Sequence, residues 1–184
     1  MDVVQEAPHT VILSEDEMSM YLQATTQNAW APQGQTPTLR VDPSRSKTNF
    51  YGTLNLLTGQ DLVLRAEKLN GDTTAFYLNC LLETYPDVPI LLFWDRAPWH
   101  RGAAVEQVLR ANPRLEIIWY PVASPALNPQ ERVWKAVRRD ISHNHAQAHL
   151  NSLADQVECY LNDNLFASTF LDEYGYNAVR PIFT

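Results

Sequence analysis

Cysteine is nearly missing: Cys80 and Cys159 are the only two in 184 residues, and no Cys-x-x-Cys pair occurs. That excludes a disulfide framework and a zinc knuckle, and it fits a reducing, cytosolic setting. No run of about 18 apolar residues exists, so no transmembrane helix is expected. The start, "MDVVQEAPHT", lacks the basic and apolar regions of a signal peptide. No Gly-x-Ser-x-Gly occurs, which removes the nucleophile elbow of an α/β hydrolase. An excess of positive charge is also lacking. The net charge of −7 by itself speaks against a nucleic-acid partner.

What is present changes that last point. Residues 96–139 hold eight basic side chains against three glutamates, while the rest of the chain holds six against eighteen acids. One basic segment therefore lies inside an acidic protein. A hydrophobic content of 45% with 10% aromatics is that of a folded globular chain long enough for one full core.

Periodicity predicts five strands and several helices. "HTVILSEDEM" (9–18) reads as a strand ending in acids, and "NAWAPQGQTP" (28–37) as a turn-rich connection. Residues 47–67 read as two strands around Thr58-Gly59-Gln60. Residues 72–86 have helical spacing in Phe76, Leu78, Leu81, Leu82 and Tyr85, with Asp72 as N-cap. "ILLFWD" (90–95) is a buried strand running into an aspartate, and 102–113 is a helix stopped by Pro113. "LEIIWYP" (115–121) reads as another short buried strand, 124–141 as a turn feeding a helix, and 149–166 as a last helix. Strands first, then alternating helices and strands, predict an α/β fold: a mixed five-stranded sheet with helices on both faces. Ligand crevices of such sheets lie beyond the carboxyl ends of strands, where Asp95 is expected.

Three carboxylates stand out. Asp16 ends the first strand, Asp95 ends the fourth, and Glu131 lies in the first turn of a later helix. A carboxylate beside a buried strand needs a partner. Hard oxygen donors from several elements suit Mg²⁺ or Mn²⁺. Each acid also has a plainer reading. Asp16 sits in Glu15-Asp16-Glu17, a candidate solvated turn. Asp95 is a candidate cap of the loop after its strand. Glu131 completes a capping box with Asn128 at N-cap and Pro129 at N1, which would occupy the same oxygens.

Other side chains divide similarly. His100 is either a group that orients a ligand or a structural histidine. His145 and His149 have the i, i+4 spacing of a metal pair, but with no third ligand in view a polar linker is the better reading. Tyr51, Trp94 and Trp119 read as core. After Glu131, Trp134, Val137 and Ile141 form an apolar stripe, and Lys135, Arg138 and Arg139 share another side with Glu131. That side is either a solvated face or a phosphate-contacting stripe beside an acidic site.

Together, "ILLFWDRAPWHRG" and "LEIIWYPVASPALNPQERVWKAVRR" closely resemble the catalytic domain of DDE transposases, and more narrowly the bacterial insertion-sequence branch of the Tc/mariner superfamily. Tyr120-Pro121, Ser124-Pro125, Asn128-Pro129, Glu131 and Trp134 reproduce one family segment, and 35 residues separate Asp95 from Glu131. Asp16-Glu17 matches the family's Asp-Glu. Trp30, Gly34 and Pro37 match its Trp-x-x-x-Gly-x-x-Pro segment. The resemblance covers residues 10–145 or so.

The resemblance implies a ribonuclease H-like fold, with a catalytic domain over 1–145 and a C-terminal helix and tail, 146–184, packed on it. It implies Asp16, Asp95 and Glu131 as a triad holding two Mg²⁺ or Mn²⁺ ions for DNA cleavage and strand transfer. Arg96, Arg101, Lys135, Arg138 and Arg139 are then expected on DNA, with His100, Asn128 and Trp134 in support. The expected partners are transposon ends and target DNA, a second copy of the chain, and a separate helix-turn-helix polypeptide that reads the ends. The expected location is a bacterial cytoplasm, on the nucleoid. The sequence departs from the family at Arg96, where asparagine is usual. An arginine there either pairs with Asp95 and competes with metal, or binds phosphate. The first outcome would leave a transposase-derived domain that binds DNA or protein with little catalysis.

Overall fold

The computed structural model describes residues 9–28, 30–35, 38, 45–122 and 124–173. Pro37 of the tryptophan–glycine–proline segment lies outside them. The strands are β1 (Val11–Tyr21), β2 (Lys47–Asn55), β3 (Asp61–Ala66), β4 (Ile90–Trp94) and β5 (Leu115–Trp119). They form one mixed sheet in the order β3-β2-β1-β4-β5. β1 and β3 pair antiparallel with β2. β4 pairs parallel with both β1 and β5. The expected ribonuclease H-like sheet is present.

The helices are α1 (Gly71–Thr84), α2 (Ala103–Ala111), α3 (Gln130–Val137), α4 (Leu150–Asp163) and the short α5 (Phe170–Glu173). They divide between the two faces. Leu13, Leu92 and Trp94 point toward α1 and α2 and meet Leu78, Leu81 and Val105. Ile12, Phe50 and Leu54 point the other way and meet Trp134 and Val137 of α3 and Leu153, Val157 and Leu161 of α4. Period-two alternation along each strand feeds both cores. β2 is buried from Thr48 to Asn55 because it is flanked on both sides and covered on both faces.

Five expectations need correction. β1 does not end at its acids but continues to Tyr21, because β2 pairs with it over the whole stretch. Asn70, not Asp72, caps α1, its side chain accepting from the Thr73 amide at 2.9 Å. Phe76 is exposed, and Tyr77 takes the core position. β5 is an edge strand rather than a buried one: Ile118 is 36% exposed and Trp119 37%. The last helix stops at Asp163, where the chain turns extended at Asn164. No helix among the described residues is long and apolar enough to cross a membrane.

Candidate active site

The parallel register of β1 and β4 begins the site. Val11 to Ser14 pair with Ile90 to Phe93. Counting on by two residues brings Asp16 beside Asp95, just where β4 ends and the strands part. On its other side Asp16 pairs with Gly52 of β2. A Cβ at Gly52 would lie 2.4 Å from Gln130 Nε2 and 2.5 Å from Trp134 Cη2. The missing side chain lets the start of α3 settle onto the sheet opposite Asp16, which carries Glu131 into place. Gly52 was not picked out in the sequence; its signal was a glycine inside a strand pattern.

A second tie holds the same helix. The Asn128 side-chain oxygen accepts from Ser14 Oγ at 2.7 Å and from the Gln130 amide at 3.1 Å. Asn128 thus caps the first turn and fastens it to β1. The reciprocal half of the capping box is not made, because the Asn128 amide donates to Pro125 O. Glu131 keeps its carboxylate for the crevice. That crevice, about 300 Å³, is lined by Asp16, Asp95, Glu131, Arg96, Asn128 and Tyr120, among others.

Asp95 serves both readings at once. Its Oδ1 accepts from the Ala97 amide at 2.8 Å and faces His100 Nδ1 at 2.9 Å. Its Oδ2 has no protein partner among the described contacts. Burial raises the Asp95 carboxyl, but the His100 and Ala97 bonds and the imidazolium charge outweigh it and hold the group below its ordinary value. At Asp16, burial, then the charges of Glu17, Glu131 and Asp95, outweigh the lowering effect of a backbone hydrogen bond from Glu17 and push the carboxyl up to about 8. The nearest cation to Glu131 is Arg138, at 3.8 Å.

Glu15 and Glu17 point through the opposite face of β1. Neither lies in a solvated turn: Glu15 is 1% exposed. His100, which ends a 3₁₀ turn at Pro98–His100, is buried between them and Asp95. Its Nε2 is 2.7 Å from Glu17 Oε1 and 3.8 Å from Glu15 Oε2. Trp99 donates to Glu17 at 2.6 Å, and Trp94 donates to Glu15. Burial disfavours the imidazolium, but bonds to Asp95 and Glu17 and the charges of Glu15 and Glu17 push His100 up to about 10. Each ring nitrogen thus faces a carboxylate oxygen, Nδ1 that of Asp95 and Nε2 that of Glu17, an arrangement that favours the imidazolium. Glu15, Glu17 and His100 form a group with ligating geometry, their atoms within 4.8 Å of one another. His145 and His149 join no such group among the described residues.

The basic residues are only partly gathered. Arg96 is exposed, lines the crevice and makes no ion pair with Asp95; its guanidinium lies 5.8 Å from the Trp119 ring centre. Lys135 is exposed on α3, and Arg101 is exposed near the start of α1. Arg139 is taken up by Asp140 at 2.6 and 2.7 Å. Trp134 is core, fully buried. Trp119 is not core, contrary to the sequence reading, because no strand covers the outer edge of β5.

The donor set suits a hard divalent cation. Three carboxylates converge on one crevice, and one of them is buried among like charges that a cation would offset.

Comparisons with known proteins bear on the family and the fold. Residues 11–154 match the family described as DDE superfamily endonuclease. The insertion element IS630 uncharacterized 39 kDa protein of Shigella sonnei is 26% identical over 156 residues, covering 84% of this chain and 45% of that protein. The Mos1 transposase paired-end complex with left transposon end superposes with a TM-score of 0.65 at 15% identity, covering 92% of this chain and 53% of the other. The catalytic domain of Mos1 mariner transposase gives a TM-score of 0.57 at 13% identity, with coverage of 94% and 78%. At these identities the solved structures bear on the fold alone. The chain spans about half the length of the IS630 protein and of the Mos1 transposase in its paired-end complex. The match over most of its length places this chain in the DDE superfamily of endonucleases.

Proposed function

We propose that this chain is the catalytic domain of a transposase, cleaving DNA at insertion-sequence ends and transferring the strand, with Asp16, Asp95 and Glu131 sharing two Mg²⁺ or Mn²⁺ ions. The observation that carries the reading is the crevice of three carboxylates at the carboxyl end of β4, with Asp16 left short of positive charge. Metal-bearing structures of Mos1, with Mn and with Mg, support the choice of ion. Divalent ions, when bound, supply positive charge to the phosphoryl group and to the attacking and leaving oxygens.

The chain's own residues prepare the site for that charge. His100 and the Ala97 amide hold one oxygen of Asp95 and leave the other available. Asn128 and Gly52 set the start of α3 against β1, so that Glu131 faces Asp16. Arg96, Arg138 and Lys135 offer cations to DNA phosphates at the crevice and along α3, and Arg101 reaches the duplex further out. Arg139 contributes only after giving up Asp140. Residues 1–145 form the catalytic unit, and α4 completes its core. DNA is the partner. A dimer on DNA and a separate helix-turn-helix polypeptide are the assembly this reading implies, in the cytoplasm on the nucleoid.

The test is Mn²⁺-dependent nicking of supercoiled plasmid and of insertion-sequence end duplexes. Asp95→Ala and Glu131→Ala are expected to lose at least about 100-fold in rate while circular dichroism shows the fold retained. Unchanged nicking in both variants would sink the proposal.

A further inference from the structure

Trp119 is a large aromatic left partly uncovered at the sheet edge, on the α1/α2 face with Trp94; Arg96, which lies over its ring and also lines the crevice, links the two around the strand ends. It lies at the end of the edge strand β5, 37% exposed, next to exposed Ile118 and to Val122, which is 80% exposed. Its inner side is backed by a rigid column. Trp119 stacks on Trp94 at 5.5 Å with 13° between the planes, and Trp94 stacks on His100 at 4.0 Å. His100 is in turn held by Asp95 and Glu17. Arg96 lies over the ring, its guanidinium carbon 5.8 Å from the ring centre. Arg96 is exposed, free of ion pairs among the described residues, and also lines the crevice. The surface thus joins a flat, fixed π-face, a movable guanidinium plane and a site suited to a phosphodiester.

We propose that Trp119 and Arg96 form a stacking platform for one unpaired nucleobase of the DNA strand whose phosphate enters the acidic crevice. This rests on the active-site reading above. A nucleobase is the occupant that fits all three features. Its π-face stacks on indole and guanidinium alike, whatever the base. The cation beside it suits the adjoining phosphate. An apolar protein segment would use the ring and the aliphatic side chains but leave Arg96 without a role. Because the indole is already fixed by Trp94, little side-chain freedom is lost when a base docks. The platform would hold the strand end splayed from its complement, so that the reacting phosphate is reached without the second strand in the way.

The experiment titrates the full chain, in Mn²⁺, with a short fluorescein-labelled single-stranded oligodeoxythymidylate read by anisotropy. The series is repeated with a single abasic residue moved along the strand. Trp119→Ala is expected to weaken binding about 5- to 100-fold, and Trp119→Phe to recover most of that loss. One abasic position should weaken wild type by a similar factor and leave Trp119→Ala unaffected. A flat abasic scan, or Trp119→Ala binding as tightly as wild type, overturns the platform. The abasic scan on wild type and the Trp119→Phe variant keep the test decisive if Trp119→Ala misfolds. Plasmid nicking measured alongside separates the two readings. Nicking that persists and still needs Asp95, with a flat scan, removes the platform and leaves the active site. Wild type with neither nicking nor DNA binding removes both. A change of oligomeric state in Trp119→Ala, with an unchanged DNA titration, would make this edge a protein contact and overturn the proposal.

Discussion

Three consecutive acids of β1 meet opposite fates on the two faces of one sheet. Glu15 and Glu17 project toward α1 and α2, where the His100 imidazolium and two indole N–H groups meet them. Asp16 projects toward α3 into the crevice, where Glu131 and Asp95 add negative charge. One face is a dry clamp built around a single imidazolium, in which burial and the Glu17 charge still hold the Glu15 carboxyl well above its ordinary value. The other is an acidic site with its charge unbalanced. The difference teaches which acids are structural: a carboxylate with a built-in cation anchors the fold, and one without it awaits a cation from outside. Asp95 joins the two, with one oxygen on His100 and the other unpartnered.

The sharpest way to break the comparison is to remove the clamp's cation. His100→Ala leaves Glu15 and Glu17 buried without compensation and is expected to cost about 3–5 kcal/mol of stability by urea unfolding at pH 7. The sign with pH follows from the raised pKa. The stabilisation by His100 is complete below the ordinary histidine pKa, about 6.5. It is lost as pH climbs through about 10. The gap between wild type and variant should therefore narrow in alkali; a gap that widens there would contradict the imidazolium clamp.

Gly52→Ala attacks the crevice face instead. The added methyl meets Gln130 and Trp134 well inside contact distance, so α3 must shift, at a cost of about 1–3 kcal/mol. The informative readout is Mn²⁺ affinity by calorimetry, which should fall because Glu131 moves away from Asp16. Unaltered affinity in a destabilised protein would show that the glycine serves packing alone.

The smallest effect is expected behind α3. Asp61 is buried beside the Gln130 side chain, and burial, outweighing the lowering effect of that amide, pushes the group up to about 7. An acid raised on folding binds its proton more tightly in the native state. Stability should fall as pH rises from about 4 to about 7. Asp61→Asn should flatten that slope and gain on the order of 1 kcal/mol or more at pH 8. Thermal melts across this range check it, and an unchanged slope would show that the carboxylate is already solvated.

Much of this was readable in the chain. The apolar run 90–94 ending at Asp95, and the Asn-Pro-x-Glu-x-x-Trp segment that supplies Asn128, Glu131 and Trp134, carried both fold and site. Other features were not. The clamp joins residues 83 positions apart, Glu17 and His100, and nothing local announces it. The capping-box pattern at Glu131 was present, but the Asn128 amide found Pro125 O instead, and only the folded loop decides that competition. Trp119 looked like core because its strand is apolar; being at the sheet edge is a property of strand order, not of the strand.

The sequence by itself determined the strands, the helices, the alternation that separates Asp16 from its two neighbours, and the residue types available to bind a cation. These depend on local periodicity and side-chain chemistry. The tertiary structure decided which acids meet a cation within the fold, that Arg96 rests on Trp119 rather than on Asp95, and that α3 can approach the sheet at Gly52. Each of these depends on groups from distant segments competing for the same few ångströms, and folding alone settles that competition.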